Sequence, residues 1–189
     1  MSSRSVSPWL AVAGIFGGIV LVGAAAHQVS QNNWERRIRM AYAAAARGLG
    51  VDAPRLVFSD HVPNAQSDGA VVAINVSWAR RVLSTHCRDD VCTDQVLVGV
   101  LAHELAHHAY QHARDLRDVV TTQWEMWTRH GFELDADRAA GAALARLELG
   151  ANEFARVLTH LSRRASATHP LGRDRVEAIR EGYHGWVWV

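Results

Sequence analysis

The stretch that decides the fold runs from Thr93 to Ala113 and reads TDQVLVGVLAHELAHHAYQHA. Its apolar residues recur with the three- and four-residue spacing of a helix that buries one face. Thr93 and Asp94 are both residue types that cap the amino-terminal end of a helix, because their side chains accept a backbone N–H bond. The sequence therefore predicts one long helix here, capped at Thr93 or Asp94.

Two histidines in the middle of this helix are spaced for binding one metal ion. His103 and His107 are four residues apart, so they lie on the same face, one turn above the other. Both can direct a ring nitrogen to one point at the zinc–nitrogen bond length of about 2.0–2.1 Å. Glu104 lies beside that face, where its carboxylate can take a proton from a metal-bound water. This is the metal-plus-base arrangement of the HExxH peptidases.

A second pair of histidines in the same helix has the same spacing. His108 and His112 are also four residues apart, but Ala109 stands where the catalytic carboxylate should be. This pair could bind a metal, yet it lacks the base. We therefore assign His103 and His107 to the metal, and we give His108 and His112 a supporting role behind it or a place on the surface.

The third metal ligand must come from another segment, because a catalytic zinc site has three protein ligands and an open position. The extended motif with a third histidine is absent, since Tyr110 and Ala113 occupy its glycine and histidine positions. Further along, Glu133 and Asp137 lie on one helical face. Glu133 can reach the metal while Asp137 fixes the tautomer of a ligand histidine. The alternative is a solvated acidic face that pairs with neighbouring arginines.

Several separate segments after residue 50 together resemble peptidase family M48, which includes the HtpX-like membrane proteases and the CAAX-prenyl endopeptidases. The HELAH segment looks like the HELxH helix of that family, and Glu133–Asp137 looks like its ExxxD motif. Thr168-His169-Pro170, with Arg175 six positions after the histidine, resembles its carboxyl-terminal signature. Asn64-Ala65 resembles the segment that leads into the active-site edge strand.

This resemblance implies an α+β fold of the zincin-like, gluzincin type with one zinc ion per chain. In the site that it implies, zinc is held by His103, His107 and Glu133, with Glu104 as catalytic base, Asp137 behind a ligand, and Asn64 and Ala65 at the substrate-binding edge strand. His169 would stabilise the oxyanion or occupy the open metal position in a resting form, and Arg175 would support it. Mn²⁺ and Co²⁺ also fit a site of two histidines and one glutamate.

The rest of the pattern predicts a mostly helical chain with a small sheet placed early. The predicted helices cover residues 31–48, 77–83, 115–149, 152–164 and 173–181, and the longest of them is expected to break near His130-Gly131. Two β-branched runs, Arg55–Phe58 and Ala70–Val76, are bounded by turn residues and predict strands.

The amino-terminal residues 1–27 are expected to be a signal peptide or a single membrane anchor. No charged residue occurs from Trp9 to Ala26, and Ala24-Ala25-Ala26 offers a small-residue cleavage site. Residues 28–189 would then form the peptidase domain.

The side of the membrane on which the domain lies is indicated by two opposing features. Three arginines follow the apolar run and slightly favour the cytoplasm: Arg36, Arg37 and Arg39. Cys87 and Cys92 flank a polar loop and are easily bonded in an exported protein, although two free thiols are the alternative. We expect a domain in the cell envelope, on the extracytoplasmic (periplasmic) side.

Length and charge limit the possible functions further. A chain of 189 residues fits one domain with a real core, and its formal net charge of +1 gives no basic surface for nucleic acid. The partner we expect is a polypeptide substrate. The sequence thus predicts a zinc-dependent endopeptidase acting on envelope or membrane-associated proteins; the alternative is a zinc-binding, chaperone-like or latent envelope module with little proteolytic activity.

Overall fold

The computed structural model describes residues 30–112, 122–162, 166 and 169–185. The expected leader at residues 1–27 lies outside these ranges and stays a prediction. Within them, no helix combines the length and the apolar character that crossing a bilayer requires.

Along the described ranges the chain is mostly helical, with a small three-stranded sheet near its start. The elements in order are α1 over residues 30–49, β1 (Arg55–Phe58), β2 (Ala65–Ser67), β3 (Val71–Ile74), α2 (Val76–His86), α3 (Asp90–Ala109), α4 (Thr122–Arg146), α5 (Asn152–Leu161) and α6 (Gly172–Gly185). The prediction of an α+β chain with an early sheet is confirmed.

The sheet has the strand order β1-β3-β2, so β2 lies at an edge. β3 pairs in parallel with β1 and antiparallel with β2. The strand predicted over Ala70–Val76 is shorter in the structure, because the side chain of Asn75 accepts a bond from Trp78 N at 3.0 Å and caps α2. The residue pattern alone does not mark β2, since its three residues Ala65–Ser67 carry no β-branched or aromatic signal; only the family resemblance placed Ala65 at an edge strand.

Helix α3 runs through the core and begins earlier than the sequence indicates. Asp89 caps it by accepting a bond from Cys92 N at 2.8 Å, so the predicted cap at Thr93 or Asp94 is wrong. A disulfide joins Cys87 to Cys92 across the short connection from α2. Helix α3 therefore begins at Asp90, about one turn earlier than the hydrophobic pattern of the sequence indicates.

Helices α4 and α6 approach so closely that their backbones touch. A Cβ atom on Gly141 would lie 2.1 Å from Ile179 O, and one on Gly182 would lie 1.9 Å from Arg138 O. The helix break predicted near His130-Gly131 is wrong, because α4 continues without interruption from Thr122 to Arg146. One glycine costs a helix only about 1 kcal/mol, and the close packing of α4 offsets that.

Candidate metal centre

Three side chains from α3 and α4 converge on one point. His103 Nε2 lies 3.0 Å from His107 Nε2. The Glu133 carboxylate completes the group, with Oε1 3.3 Å from His107 Nε2 and Oε2 3.6 Å from His103 Nε2. Ligands at bond lengths of about 2.0–2.1 Å around a tetrahedral ion are separated by about 3.3 Å. This group, buried or partly buried throughout, could therefore hold a metal ion.

The protonation pattern of the group also fits a cation. His103 Nδ1 lies 2.9 Å from Asp137 Oδ1, so Nδ1 donates to the carboxylate and Nε2 presents its lone pair to the group in the neutral ring. Glu133 Oε2 is buried and has no hydrogen-bond partner, although Arg175 Nη2 lies 3.4 Å away. Buried polar atoms are rarely left in this state, and lone pairs that face one another need positive charge between them. A site of two imidazoles and one carboxylate matches the ligands of catalytic zinc.

Behind His103, a fully buried ion pair fixes the ring. Asp137 is 0% exposed, and Arg175 bonds both of its oxygens, with Nε–Oδ2 at 2.7 Å and Nη2–Oδ1 at 2.9 Å. Such a two-bond pair holds the carboxylate in one orientation. The contact between α4 and α6 brings the two residues together. It places Arg175 against Asp137 behind His103, and the support of His169 by Arg175 that the family resemblance implies stays a prediction.

The charges around the centre shift the pKa values of its members in opposite directions. Burial disfavours the imidazolium form of His103, but the carboxylates of Asp137 and Glu133 outweigh that effect and raise the pKa of His103 to about 10. Burial alone would raise the pKa of Glu133, yet the two neighbouring histidines and the charge of Arg175 hold it well below its usual range. Without a metal ion, His103 therefore carries a proton at neutral pH, and a metal ion must displace that proton.

Glu104 lies next to the ligands and lines the same cavity as His103 and Glu133. Burial raises the pKa of its carboxyl group, although the nearby charges of His103 and His107 oppose the shift. A carboxylate whose pKa is raised toward neutrality is better suited to taking up a proton and giving it back. The side chain thus lies where its carboxylate could exchange a proton with a molecule bound in the cavity.

Two of the three candidate ligands, His103 and Glu133, border a cavity of about 290 Å³. Its polar side includes Glu104, Glu133, Arg175 and His169, and His169 Nε2 lies 3.6 Å from Glu133 Oε2 while half of its side chain stays exposed. The opposite side is apolar and is formed by residues of α2, α3 and α5: Trp78, Val100, Phe154, Leu158 and Leu161. The cavity therefore joins a candidate metal centre to an apolar surface.

The edge strand β2 begins at this cavity, because Asn64 and Ala65 line it. Asn64 O accepts from Asn75 N at 2.8 Å, and Asp68 N donates to Val71 O at 3.3 Å. In an antiparallel ladder the hydrogen-bonded positions alternate, so the backbone groups of Ala65, one position after Asn64, point away from β3. The backbone groups of Ala65, which is 7% exposed, thus face the outer side of β2 beside the cavity.

Sequence reasoning missed the apolar wall of the cavity. Trp78 lies on α2 whereas Phe154 and Leu158 lie on α5, and none of them belongs to a recognisable motif, so only the packing of α2 and α5 on α3 brings them to the site. The structure supplies the signal that the sequence lacks, because Leu161, a large apolar residue at the end of α5, stays 44% exposed. Exposed apolar residues of this kind mark binding surfaces when they adjoin others.

Comparison of the chain with protein-family models, with curated proteins and with solved structures finds no match. The interpretation of the centre therefore depends on its geometry and on the chemistry of its side chains.

Proposed function

We propose that the chain is a zinc-dependent endopeptidase of the gluzincin type, similar to peptidase family M48. One observation carries the proposal: Glu104 follows His103 in the convergent group of His103, His107 and Glu133, and it borders the same cavity as His103 and Glu133. Structural zinc sites are closed by four protein ligands and have no use for a base. Three ligands and a carboxylate facing open space are what metal-assisted hydrolysis needs.

In this proposal, His103, His107 and Glu133 would hold a zinc ion, which would polarise the scissile carbonyl of the substrate and lower the pKa of a water molecule. Glu104 takes the proton of that water and returns it to the leaving amine. His169, on the rim of the cavity, donates a hydrogen bond to the oxyanion that develops at the carbonyl.

The substrate is proposed to be an extended polypeptide. Its backbone would pair with the outward-facing groups of Ala65, because an open strand edge accepts a further strand. An apolar side chain next to the scissile bond would enter the cavity against Trp78 and Phe154. Apolar lining with a few placed polar groups is typical of such binding sites.

The proposed location is the extracytoplasmic side of the cell envelope, with residues 1–27 as leader or anchor. The disulfide between Cys87 and Cys92 supports it, because disulfides persist in oxidising compartments. Envelope or membrane-associated proteins would then be the natural substrates.

A latent zinc-binding module is the second candidate, and the position of His169 favours it. Its Nε2 lies 3.6 Å from Glu133 Oε2 but outside the convergent group of three, so in a latent state it would shift toward the centre and replace the catalytic water. If the centre is latent, His169→Ala will raise peptidase activity. If His169 assists the oxyanion, the same variant will lower it.

Removal and return of the metal test the main proposal. Purified protein should cleave a casein-type substrate, lose that activity after treatment with a chelator, and recover it with one equivalent of Zn²⁺. His103→Ala should neither bind zinc nor cleave, while His108→Ala serves as the matched control and should behave like wild type. Cleavage that survives complete metal removal would contradict the proposal.

A further inference from the structure

His112 makes a buried contact with a residue of the metal centre although it is not a ligand. Its Nδ1 lies 2.9 Å from Nδ1 of His107, and the residue is only 5% exposed. On its other side the ring stacks on Phe132 of α4, with centroids 4.1 Å apart and planes inclined by 4°. The imidazole is thus held between its partner histidine and a parallel aromatic ring.

A turn at the end of α3 makes this contact possible. Residues five apart in a continuous helix do not share a face, so His107 and His112 would diverge if α3 continued. The helix ends at Ala109, and Gln111 adopts a φ of +57°. A left-handed conformation is costly for a residue other than glycine and persists only where surrounding contacts hold it. The turn therefore directs His112 back toward the centre.

The direction of the hydrogen bond follows from the role of the other nitrogen. His107 Nε2 faces His103 and Glu133, so it must present a lone pair if it is to bind a metal ion. The neutral ring then carries its proton on Nδ1 and donates it to His112 Nδ1. His112 in turn carries its own proton on Nε2.

We propose that His112 is a positioning residue of the metal centre: it accepts the Nδ1–H of His107, fixes the tautomer and rotation of that ring, and thereby sets metal affinity. The two histidine ligands are then supported differently, His103 by the anionic Asp137 and His107 by a neutral imidazole. Partners of this kind typically contribute 10–100-fold to metal affinity. The inference rests on the proposed metal site, but it concerns metal binding rather than peptide cleavage.

Two substitutions separate the hydrogen bond from the packing. His112→Phe keeps an aromatic ring for stacking on Phe132 but removes the acceptor. His112→Asn loses the ring but places an amide oxygen near the position of Nδ1. His108→Phe is the matched control, since His108 is the neighbouring histidine outside the ligand group. Circular dichroism and thermal unfolding of the metal-free proteins would establish that each variant is folded.

The readout is zinc affinity, measured by competition with a chromophoric chelator. We expect His112→Phe to weaken zinc binding by about 10–100-fold, His112→Asn to recover most of that loss, and His108→Phe to match wild type. In zinc-loaded wild type, the Nδ1 proton of His107 should give a slowly exchanging NMR resonance that His112→Phe abolishes.

Wild-type affinity in His112→Phe would overturn the inference and leave the proposed function intact. An equal loss in folded His112→Asn and His112→Phe would overturn it as well, because packing would then explain the effect. Zinc-binding wild type without peptidase activity would overturn the proposed function but not the role of His112. A wild-type protein that binds no zinc would overturn both.

Discussion

At the scale of single residues, the balance of charge around His103 governs the centre. Its ring lies between the Asp137 carboxylate, at 2.9 Å from Nδ1, and the Glu133 carboxylate, at 3.6 Å from Nε2. The carboxylates of Asp137 and Glu133 carry two negative charges, and the buried Arg175 carries one positive charge. One further positive charge is therefore needed to neutralise the group. Either a proton or a metal ion can meet it, so the two compete for the same position.

The pH dependence of zinc binding follows from this competition. The pKa of His103 is raised to about 10 in the metal-free protein, so the ring is protonated at pH 7.5 and must lose that proton when zinc binds. Binding should therefore release about one proton per zinc ion, and affinity should rise about tenfold per pH unit between pH 7 and the pKa of His103. Calorimetry in buffers of different ionisation enthalpy measures the release. A heat that does not depend on the buffer would contradict this protonation state.

The buried pair of Asp137 and Arg175 should matter for both stability and metal binding. Asp137→Asn keeps the size of the side chain but leaves the Arg175 guanidinium buried without its anion. We expect a loss of about 3–5 kcal/mol in the free energy of unfolding and a loss of about 10–100-fold in zinc affinity. Urea unfolding and chelator competition measure the two effects.

A neighbouring carboxylate on the same helix provides the control. Asp135 pairs with Arg138 at 2.9 Å, but both side chains are largely exposed. Asp135→Asn should therefore change stability by no more than about 1 kcal/mol and leave zinc affinity unchanged. Equal effects of Asp137→Asn and Asp135→Asn would contradict the claim that burial and the contact with His103 determine the losses of stability and zinc affinity.

At the scale of elements, three helices build the centre. α3 supplies both histidines and Glu104, α4 supplies Glu133 and Asp137, and α6 supplies Arg175. The relative position of α4 and α6 is fixed at Gly141 and Gly182, where no side chain could be accommodated. Close backbone contact at these glycines is what allows the guanidinium to reach the buried carboxylate.

A methyl group at this contact should separate the helices. Gly182→Ala places a Cβ 1.9 Å from Arg138 O, so the backbone must shift. Because overpacking typically costs about 1–3 kcal/mol, the midpoint of thermal unfolding should fall and zinc affinity should drop with it. Gly131→Ala on α4 is the control, since nothing lies within 4 Å of its added Cβ, and it should stabilise the helix by up to about 1 kcal/mol. Identical thermal midpoints for both variants would contradict the proposed role of this contact.

What the sequence could predict at this scale depends on how local the signal is. The identity of α3, with its histidines on one face, follows from four-residue spacing alone. The start of α3 does not, because the cap is the side chain of Asp89, three residues before Cys92. The propensity of the residues missed the strand β2 for a similar reason: it exists because Asn64–Asp68 pairs with β3, and only the family resemblance pointed to an edge strand at Asn64 and Ala65. The contact between α4 and α6 could not be predicted either, because its only mark in the sequence is a few isolated glycines without a periodic pattern.

At the scale of the whole molecule, the candidate site is one cavity assembled from distant parts of the chain. The sheet contributes Ala65, α2 contributes Trp78, and α5 contributes Phe154, all around the ligands on α3 and α4. The motif residues could be identified in the sequence because ligand chemistry restricts residue type and spacing. The residues of the apolar wall could not be identified in the sequence. Any large apolar residue can line a cavity, and only tertiary packing determines which of them does so.

The most direct test of the central claim, that this centre is a hydrolytic metal site, is the substitution Glu104→Gln. Zinc content and the rate of cleavage of a casein-type substrate should be measured on the same preparations of wild type and variant. The amide is nearly the same size as the carboxylate but cannot accept the proton of the attacking water. The result we predict is one zinc ion per chain in both proteins, with the cleavage rate of the variant lower by about 10²–10⁴-fold. Cleavage at the wild-type rate by zinc-loaded Glu104→Gln would contradict the claim.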